Sequence, residues 1–541
     1  MSVSTAQSEL HPEARKEPEP QSAAPAAEPI GVRVTSAELP AHAPLDLCLR
    51  LREQLGAEEV FLTESPVAPE QDRRPAVVGC GRLAELRVYA GHVEIEGLSA
   101  VRAGLTAAAD QAGMVPGSAD PDTAAADLDT ADTGTVGVTV RRAFRTSAQL
   151  WDLLGRARHL FALDTDLPET AYAFGFLVTF AYEAAWHMED LPPRAADPAT
   201  PDITLTLFRD TVWYVPAHES APRLLTAAGP GFPEGGTSPV PPLAALAGSA
   251  ALCAGAGAAP DAPPPLSVHD SVDRDTFLAW AKRCLEHIRV GDIYQIQIGH
   301  RIDVRTELTP VDVYRRLRGR NPSPYMFLLP WAGRTLIGAS PELFFRIEGD
   351  RIVMRPIAGT TRRGPDRDEN ERRIAEMVAS RKERAEHIML VDLCRNDIGR
   401  ISLPGTLPVD RLMSVETFSH VFHLVSTVTG RLDPAADVWA ATRAAFPAGT
   451  MSGAPKLRAM EIIHELEEEP RGAYAGAVGL LDVRGWSELA LCIRTIVHQG
   501  DTYATQSSAG VVADSVPEAE WAETLAKMGA AYWALTGEEL S

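Results

Sequence analysis

Residues 381–392 read RKERAEHIMLVD, and residues 517–527 read PEAEWAETLAK. Both stretches are rich in strong helix formers, and the second opens on a proline, where a helix tolerates one. Glu383 and Glu386 are three apart, so both leave one face of the first helix. Glu520 and Glu523 repeat that spacing on the second, and Lys527 lies four beyond Glu523 on the same side. Glutamates so spaced usually mark only a solvated face. Set face to face, the two helices would instead suit a hard cation, Mg²⁺ rather than zinc, because every donor is a carboxylate oxygen.

The segments around these helices favour the second reading. Gly338-Ala-Ser-Pro-Glu342 puts an acid just after a strand and a turn. Pro356-Ile-Ala-Gly-Thr360 offers a glycine N–H and a threonine hydroxyl to an anion. His423 and Arg494 fall in apolar strand patterns, and Tyr474 follows a turn. An arginine in a buried strand is costly unless paired, so Arg494 meets either an internal carboxylate or that of a ligand.

Other motifs fail on context. Gly255-Ala-Gly257 imitates a dinucleotide fingerprint but has no strand before it. Gly449-Thr-Met-Ser-Gly-Ala-Pro-Lys456 resembles a phosphate loop, yet Ala-Pro separates Gly453 from the lysine. The same stretch is not a GxSxG elbow, and His420 and His423 lack a third zinc ligand nearby.

Composition bounds the class. The chain has 541 residues, 45% hydrophobic, with 51 Lys+Arg against 73 Asp+Glu and a net charge of −22. That excludes a generally basic nucleic-acid-binding surface, though not a local basic pocket. No apolar run is long enough to span a membrane; Ala244 to Ala259 is mostly alanine and glycine. The N-terminus lacks the apolar core of a secretory signal. Six cysteines without a CxxC pair fit a reduced, cytoplasmic protein without structural zinc.

Four regions follow from the pattern. Residues 1–29 read as a disordered tail rich in Ala, Pro and Glu, and 30–228 as an N-terminal region. Within it, VFLTES (60–65) reads as a strand, LRVYAGHVEIEG (86–97) as a hairpin turning at Ala90-Gly91, and Trp151–Leu163 as a helix. LFRDTVWYVP (207–216) reads as a further strand, and 107–134 as a mobile low-complexity insertion. Residues 229–267 form a Gly/Pro/Ala linker, and 268–541 an almost uninterrupted series of helices and strands.

GDIYQIQ (291–297), NPSPYMF (321–327), GASPELF (338–344), RPIAGTTRRG (355–364) and KERAEHIMLVDLCRND (382–397) resemble the chorismate-utilising enzymes. So do VFHLVSTVTG (421–430), FPAGTMSGAPKLRAMEII (446–463), YAGAVG (474–479) and CIRT (492–495). Within that family they are most similar to the large synthase subunit, component I, of anthranilate synthase. The resemblance implies an α+β fold of two interlocked units, large antiparallel sheets flanked by helices, with chorismate in the cleft.

It also implies roles. Glu386 and Glu523 would coordinate Mg²⁺, with Glu383 and Glu520 close by, and Glu342 would protonate the departing C4 hydroxyl. Ala358, Gly359 and Thr360 would line the site, Tyr474 and Arg494 would hold the enolpyruvyl carboxylate, and Lys527 would add positive charge. His423 matches a histidine associated with pyruvate elimination, and Gly510 belongs to a turn whose amides approach a substrate carboxylate. Isochorismate-forming relatives carry a water-activating lysine where this chain has Gln295. Aminodeoxychorismate-forming relatives with a covalent intermediate carry one where it has Ala358. With neither, ammonia should attack directly at C2.

The expected activity is therefore that of anthranilate synthase component I, making anthranilate from chorismate with loss of water and then pyruvate. A 2-amino-2-deoxyisochorismate synthase, which stops before pyruvate leaves, shares most of these residues. A non-catalytic scaffold is a third reading, disfavoured by the retained acids. No amidotransferase block is present, so ammonia would come from a separate glutamine amidotransferase subunit in a hetero-oligomer, or from free ammonia at high pH. Ser65, with Pro324, Tyr325 and Met326, matches a tryptophan effector site, although an ordinary packed interface would look the same. One departure stands out: Gln506-Ser-Ser-Ala-Gly510 puts Ser508 where the family usually has glycine.

Overall fold

A computed structural model describes residues 29–117, 138–195, 197, 199–214, 221–232 and 259–540. Most of the expected tail, the 118–134 part of the expected insertion, the core of the linker with Gly255 and Gly257, and Cys253 lie outside the described residues. Within them, the strands join into one continuous, almost wholly antiparallel sheet network flanked by helices, as expected for an α+β chain, although the separate sheets expected from the resemblance are linked by strand pairing.

The interlocking of N- and C-terminal regions follows from strands apolar on both faces. Gly175–Phe180, GFLVTF, is buried at all six positions, so it needs partners on both sides. It pairs with Ile203–Tyr214 on one edge and with Ala477–Asp482 of the C-terminal region on the other, Phe180 facing Ala477. Asp482 reinforces the joint by accepting the N–H groups of Ala173 and Phe174 at 2.6 and 3.1 Å. A second joint pairs Val60–Glu64 with Tyr325–Trp331, Glu64 facing Met326. Tyr325–Trp331 turns back into Arg334–Ser340 through Ala332 and Gly333, both at positive φ (48° and 73°), the conformation a two-residue hairpin needs.

Phe180 is fully buried and meets Phe446 at a ring separation of 5.8 Å. Phe180→Ala should therefore lower stability by about 3–5 kcal/mol, read as a fall in urea midpoint at unchanged slope. A loss below about 1 kcal/mol would mean the joint is not integral to the core.

Several sequence expectations shift. Residues 107–117 are ordered: they end the Ser99–Gln111 helix and form the short Val115–Pro116 strand. The helix expected at 151–163 is Ser147–His159, started by a capping box between Thr146 and Gln149. It stops because Phe161–Asp164 is drawn into a parallel pairing with the Ile30–Glu38 strand. The strand expected at 207–216 begins earlier, at Ile203. The linker's last residue, Ser267, already opens the Ser267–Asp270 strand. Arg494 is not within a strand; it sits at φ 52° between Ser487–Leu491 and Thr495–Gln499. Tyr474 lies inside its turn rather than after it.

Candidate active site

The two acid-bearing helices form where expected, at Arg381–Gly399 and Pro517–Thr536. Ser380 caps the first by accepting from the Glu383 N–H at 3.3 Å. His387 ties that helix to the Val421–Arg431 strand through the Ser426 hydroxyl at 2.6 Å. The Ile357–Arg362 strand bulges at Gly359, whose φ is 73°. A side chain there would come within 2.9 Å of Leu424 and 3.2 Å of the Glu383 carboxylate, so only glycine lets this turn lie against the acids.

Burial raises the pKa values of Glu383, Glu386 and Glu520; the Glu523 charge raises all three further, and Glu383 and Glu520 add to it at Glu386. Lys527 offsets part of that repulsion from 2.7 Å off Glu523, and Lys382 lies 3.8 Å from Glu386. Among the described residues no three His, Cys, Asp or Glu side chains are gathered into a ready metal cage. Mutually repelling carboxylates on two facing helices nevertheless fit Mg²⁺, which typically takes one or two protein carboxylates and fills its shell with water and substrate oxygens.

Glu342 lies beyond the end of the Arg334–Ser340 strand, buried, with the Thr450 hydroxyl 3.3 Å away. Burial pushes its pKa up to about 8, against the pull of Thr450 and Lys527, so it is protonated at neutral pH. His423 faces Thr360 across paired strands, its Nδ1 2.9 Å from the Thr360 hydroxyl and 3.3 Å from the Gly359 carbonyl. Burial lowers its pKa to about 4, and nearby Arg494 adds to the effect, so the ring is neutral. A proton on Nδ1 would serve the Gly359 carbonyl, and the Thr360 hydroxyl can either accept that proton or donate to a bare Nδ1.

A continuous polar chain runs from Arg494 to Gln297. Arg494 donates to the Lys527 carbonyl at 2.9 Å, and Lys527 Nζ donates to the Ser508 carbonyl at 2.9 Å. The Ser508 hydroxyl is 2.6 Å from the Tyr474 hydroxyl and 2.9 Å from Gln297 Oε1. Among the described residues no carboxylate lies within ion-pairing distance of Arg494; its guanidinium is held by the Lys527 carbonyl, with Glu523 near enough to act on its charge. Gln295 and Gln297 pack their amide nitrogens over Gly510, where a Cβ would meet them at 3.2 and 2.9 Å. Gln295 Oε1 is buried without a hydrogen-bond partner among the described residues. Unpartnered buried acceptors are costly, so this one is suited to an N–H from outside the protein.

The fold thus gathers the sequence-derived residues of the cleft: Glu342, Gly359, Thr360, His423, Tyr474, Arg494, Gly510 and Lys527 with the two acid pairs. Gln297 and Thr450 were not foreseen. The glutamine could have been found from its two-residue offset from Gln295, which puts both on one strand face. The residues matched to an effector site come together only in part. Pro324, Tyr325 and Met326 line a separate cavity of about 350 Å³ with Thr63, Trp213 and Trp486. Ser65 is not on its wall; its hydroxyl turns to the Asp72 carbonyl at 3.4 Å.

Comparison with known proteins agrees with this arrangement. A family profile described as chorismate binding enzyme matches residues 122–532. A 2-amino-4-deoxychorismate synthase of Streptomyces globisporus is 45% identical over 517 residues, covering 95% of this chain and 98% of that protein. An anthranilate synthase component 1 of Streptomyces coelicolor is 44% identical over 366 residues, covering 65% of this chain and 71% of the relative. The crystal structure of anthranilate synthase component I from Streptococcus pneumoniae superposes with a TM-score of 0.65 at 26% identity, covering 86% of this chain and 93% of that one. No helix among the described residues is long and apolar enough to cross a membrane.

Proposed function

The chain belongs to the chorismate-binding enzyme family, and from that premise we propose that it aminates chorismate at C2 and releases the product with its enolpyruvyl ether intact. The observation that carries amination is Gln295. A lysine there would deprotonate water, whereas a neutral, buried carboxamide with a free acceptor receives an N–H of ammonia and activates nothing else.

The residues divide the work by chemistry. Arg494 meets the enolpyruvyl carboxylate and Glu342 faces the C4 hydroxyl. Glu386 and Glu523, with Glu383 and Glu520 beside them, would hold Mg²⁺, which when bound neutralises the ring carboxylate. Ammonia attacks C2, the two ring double bonds shift, and the C4–O bond breaks as Glu342 gives up its proton, so the hydroxyl leaves as water. The C2 ammonium loses a proton, and the neutral amine remains beside the C3 ether.

That compound bears an amine at C2, the ether at C3 and nothing at C4. It is named equally well as 2-amino-2-deoxyisochorismate or 2-amino-4-deoxychorismate. The near full-length similarity to the S. globisporus protein supports it as the final product, ahead of the anthranilate that the sequence motifs favoured. His423 supports the anthranilate reading. Its ring, kept neutral by burial, has a lone pair that can take the C2 proton whose loss expels pyruvate.

The two are separated by supplying chorismate, ammonium and Mg²⁺ and measuring pyruvate with lactate dehydrogenase and NADH. The expected result is chorismate consumed with little pyruvate released. One pyruvate per chorismate, with a blue-fluorescent product, would replace the proposed product by anthranilate. A glutamine amidotransferase subunit as the ammonia source is part of the same proposal.

A further inference from the structure

Ser508 lies in the Thr502–Val511 strand opposite Gly299, 1% exposed and in ordinary extended backbone. Its presence therefore costs no strain, and what it changes is the ownership of protons. A serine hydroxyl has one proton, and Gln297 Oε1 can only accept, so the Ser508 proton lies on Gln297 at 2.9 Å. Ser508 Oγ must then be the acceptor in its 2.6 Å contact with Tyr474, and the single proton of Tyr474 is spent on it. The phenol keeps only lone pairs for the cleft. Burial raises the Tyr474 pKa to about 12, so the group stays neutral throughout.

A carboxylate accepts and never donates, so it gains no hydrogen bond from a phenol in this state. With Tyr474 committed to Ser508, the enolpyruvyl carboxylate is left to Arg494. We propose that Ser508 is a positioning residue that withholds the Tyr474 proton from the enolpyruvyl carboxylate and so stops the reaction at the C2 amine. The inference rests on the chorismate amination argued above and explains its proposed end point.

The step it slows is defined. A base takes the C2 proton, the C–H electron pair becomes the C2=C3 bond of the aromatic ring, and the C3–O bond breaks onto oxygen. The enolate of pyruvate then takes a proton and leaves. That cleavage requires the C3–O bond to stand perpendicular to the ring. A carboxylate gripped at one point spends less time there than one gripped at two.

The test uses the full chain with saturating ammonium and Mg²⁺, recording chorismate consumed, pyruvate released and the KM for chorismate. Ser508→Ala keeps the Cβ and removes the acceptor; Ser508→Gly serves as a second variant should alanine pack poorly. Either should raise pyruvate per chorismate at least fivefold and lower KM. Tyr474→Phe should raise KM severalfold more in the Ser508→Ala background than in the native one, a coupling that loss of packing alone would not produce. An unchanged pyruvate ratio in both serine variants, or an equal Tyr474→Phe effect in both backgrounds, overturns the proposal. A native chain that already releases one pyruvate per chorismate overturns the proposed product, while the KM coupling still reports whether Ser508 holds the Tyr474 proton.

Discussion

Glu342→Gln is expected to lower kcat/KM by about 10²–10⁴-fold, the usual worth of a positioned proton donor. Hydroxide is a poor leaving group, and the proposed C4–O cleavage would depend on a proton arriving as the bond breaks. Glutamine keeps the shape of the side chain and can still receive the Thr450 contact, but has no acidic proton to give. The pH dependence carries the same signature. Burial holds the Glu342 pKa at about 8, so the donor is intact at neutral pH and lost as pH rises through that value. In the native chain kcat/KM should therefore fall above pH about 8, with free ammonia rather than total ammonium held constant, because ammonium itself deprotonates in the same region. A profile flat to pH about 10, or a glutamine variant with near-native turnover, would remove Glu342 from the chemistry.

Glu523→Gln and Glu386→Gln should each abolish most Mg²⁺-dependent turnover, on the order of 10³-fold, since the charge of an ion held there would be worth several kcal/mol at the ring carboxylate. The physical ground is the crowding of acids. Burial raises the pKa values of Glu383, Glu386 and Glu520, and Glu523 on the other helix raises those of Glu383 and Glu386 further, an arrangement that a cation relieves. Removing one carboxylate should weaken Mg²⁺ binding measured by calorimetry as well as lower activity, and high Mg²⁺ should restore part of the loss. Glu376→Gln, on an exposed face of the neighbouring Arg367–Ala379 helix, is the control and should do neither. Unchanged Mg²⁺ affinity in Glu523→Gln would sink the assignment.

Much of this site was legible in the sequence because its signals are local. The Glu pairs declare their shared face by helical spacing, and Pro517 marks the start of the second helix. Glu342 announces itself after a strand and turn. Arg494 shows where locality ends: its flanks, LALCI and TIV, read as one strand, yet the residue sits at φ 52° between two. Long-range pairing of Arg334–Ser340 with Thr495–Gln499 sets that break, and no window of sequence contains both. The Ser147–His159 helix was misplaced for the same reason, since its end is dictated by pairing with Ile30–Glu38. Ser508 was visible as a departure but not as a device. Its meaning depends on a hydroxyl from a turn 34 residues earlier and an amide 211 residues away.

The same distinction applies to charge. A net −22 describes the whole surface and would repel chorismate weakly at long range. Arg494 and Lys527 sit beside the acid pairs, and a bound Mg²⁺ would complete the local reversal of sign.

The most direct test of amination at C2 is to supply chorismate, Mg²⁺ and ¹⁵N-ammonium and locate the label by NMR. The product should carry ¹⁵N bonded to C2, with the C4 hydroxyl gone. An unlabelled product bearing oxygen at C2, or ¹⁵N attached at C4, would contradict the roles given to Gln295 and Ala358 and with them the proposed reaction.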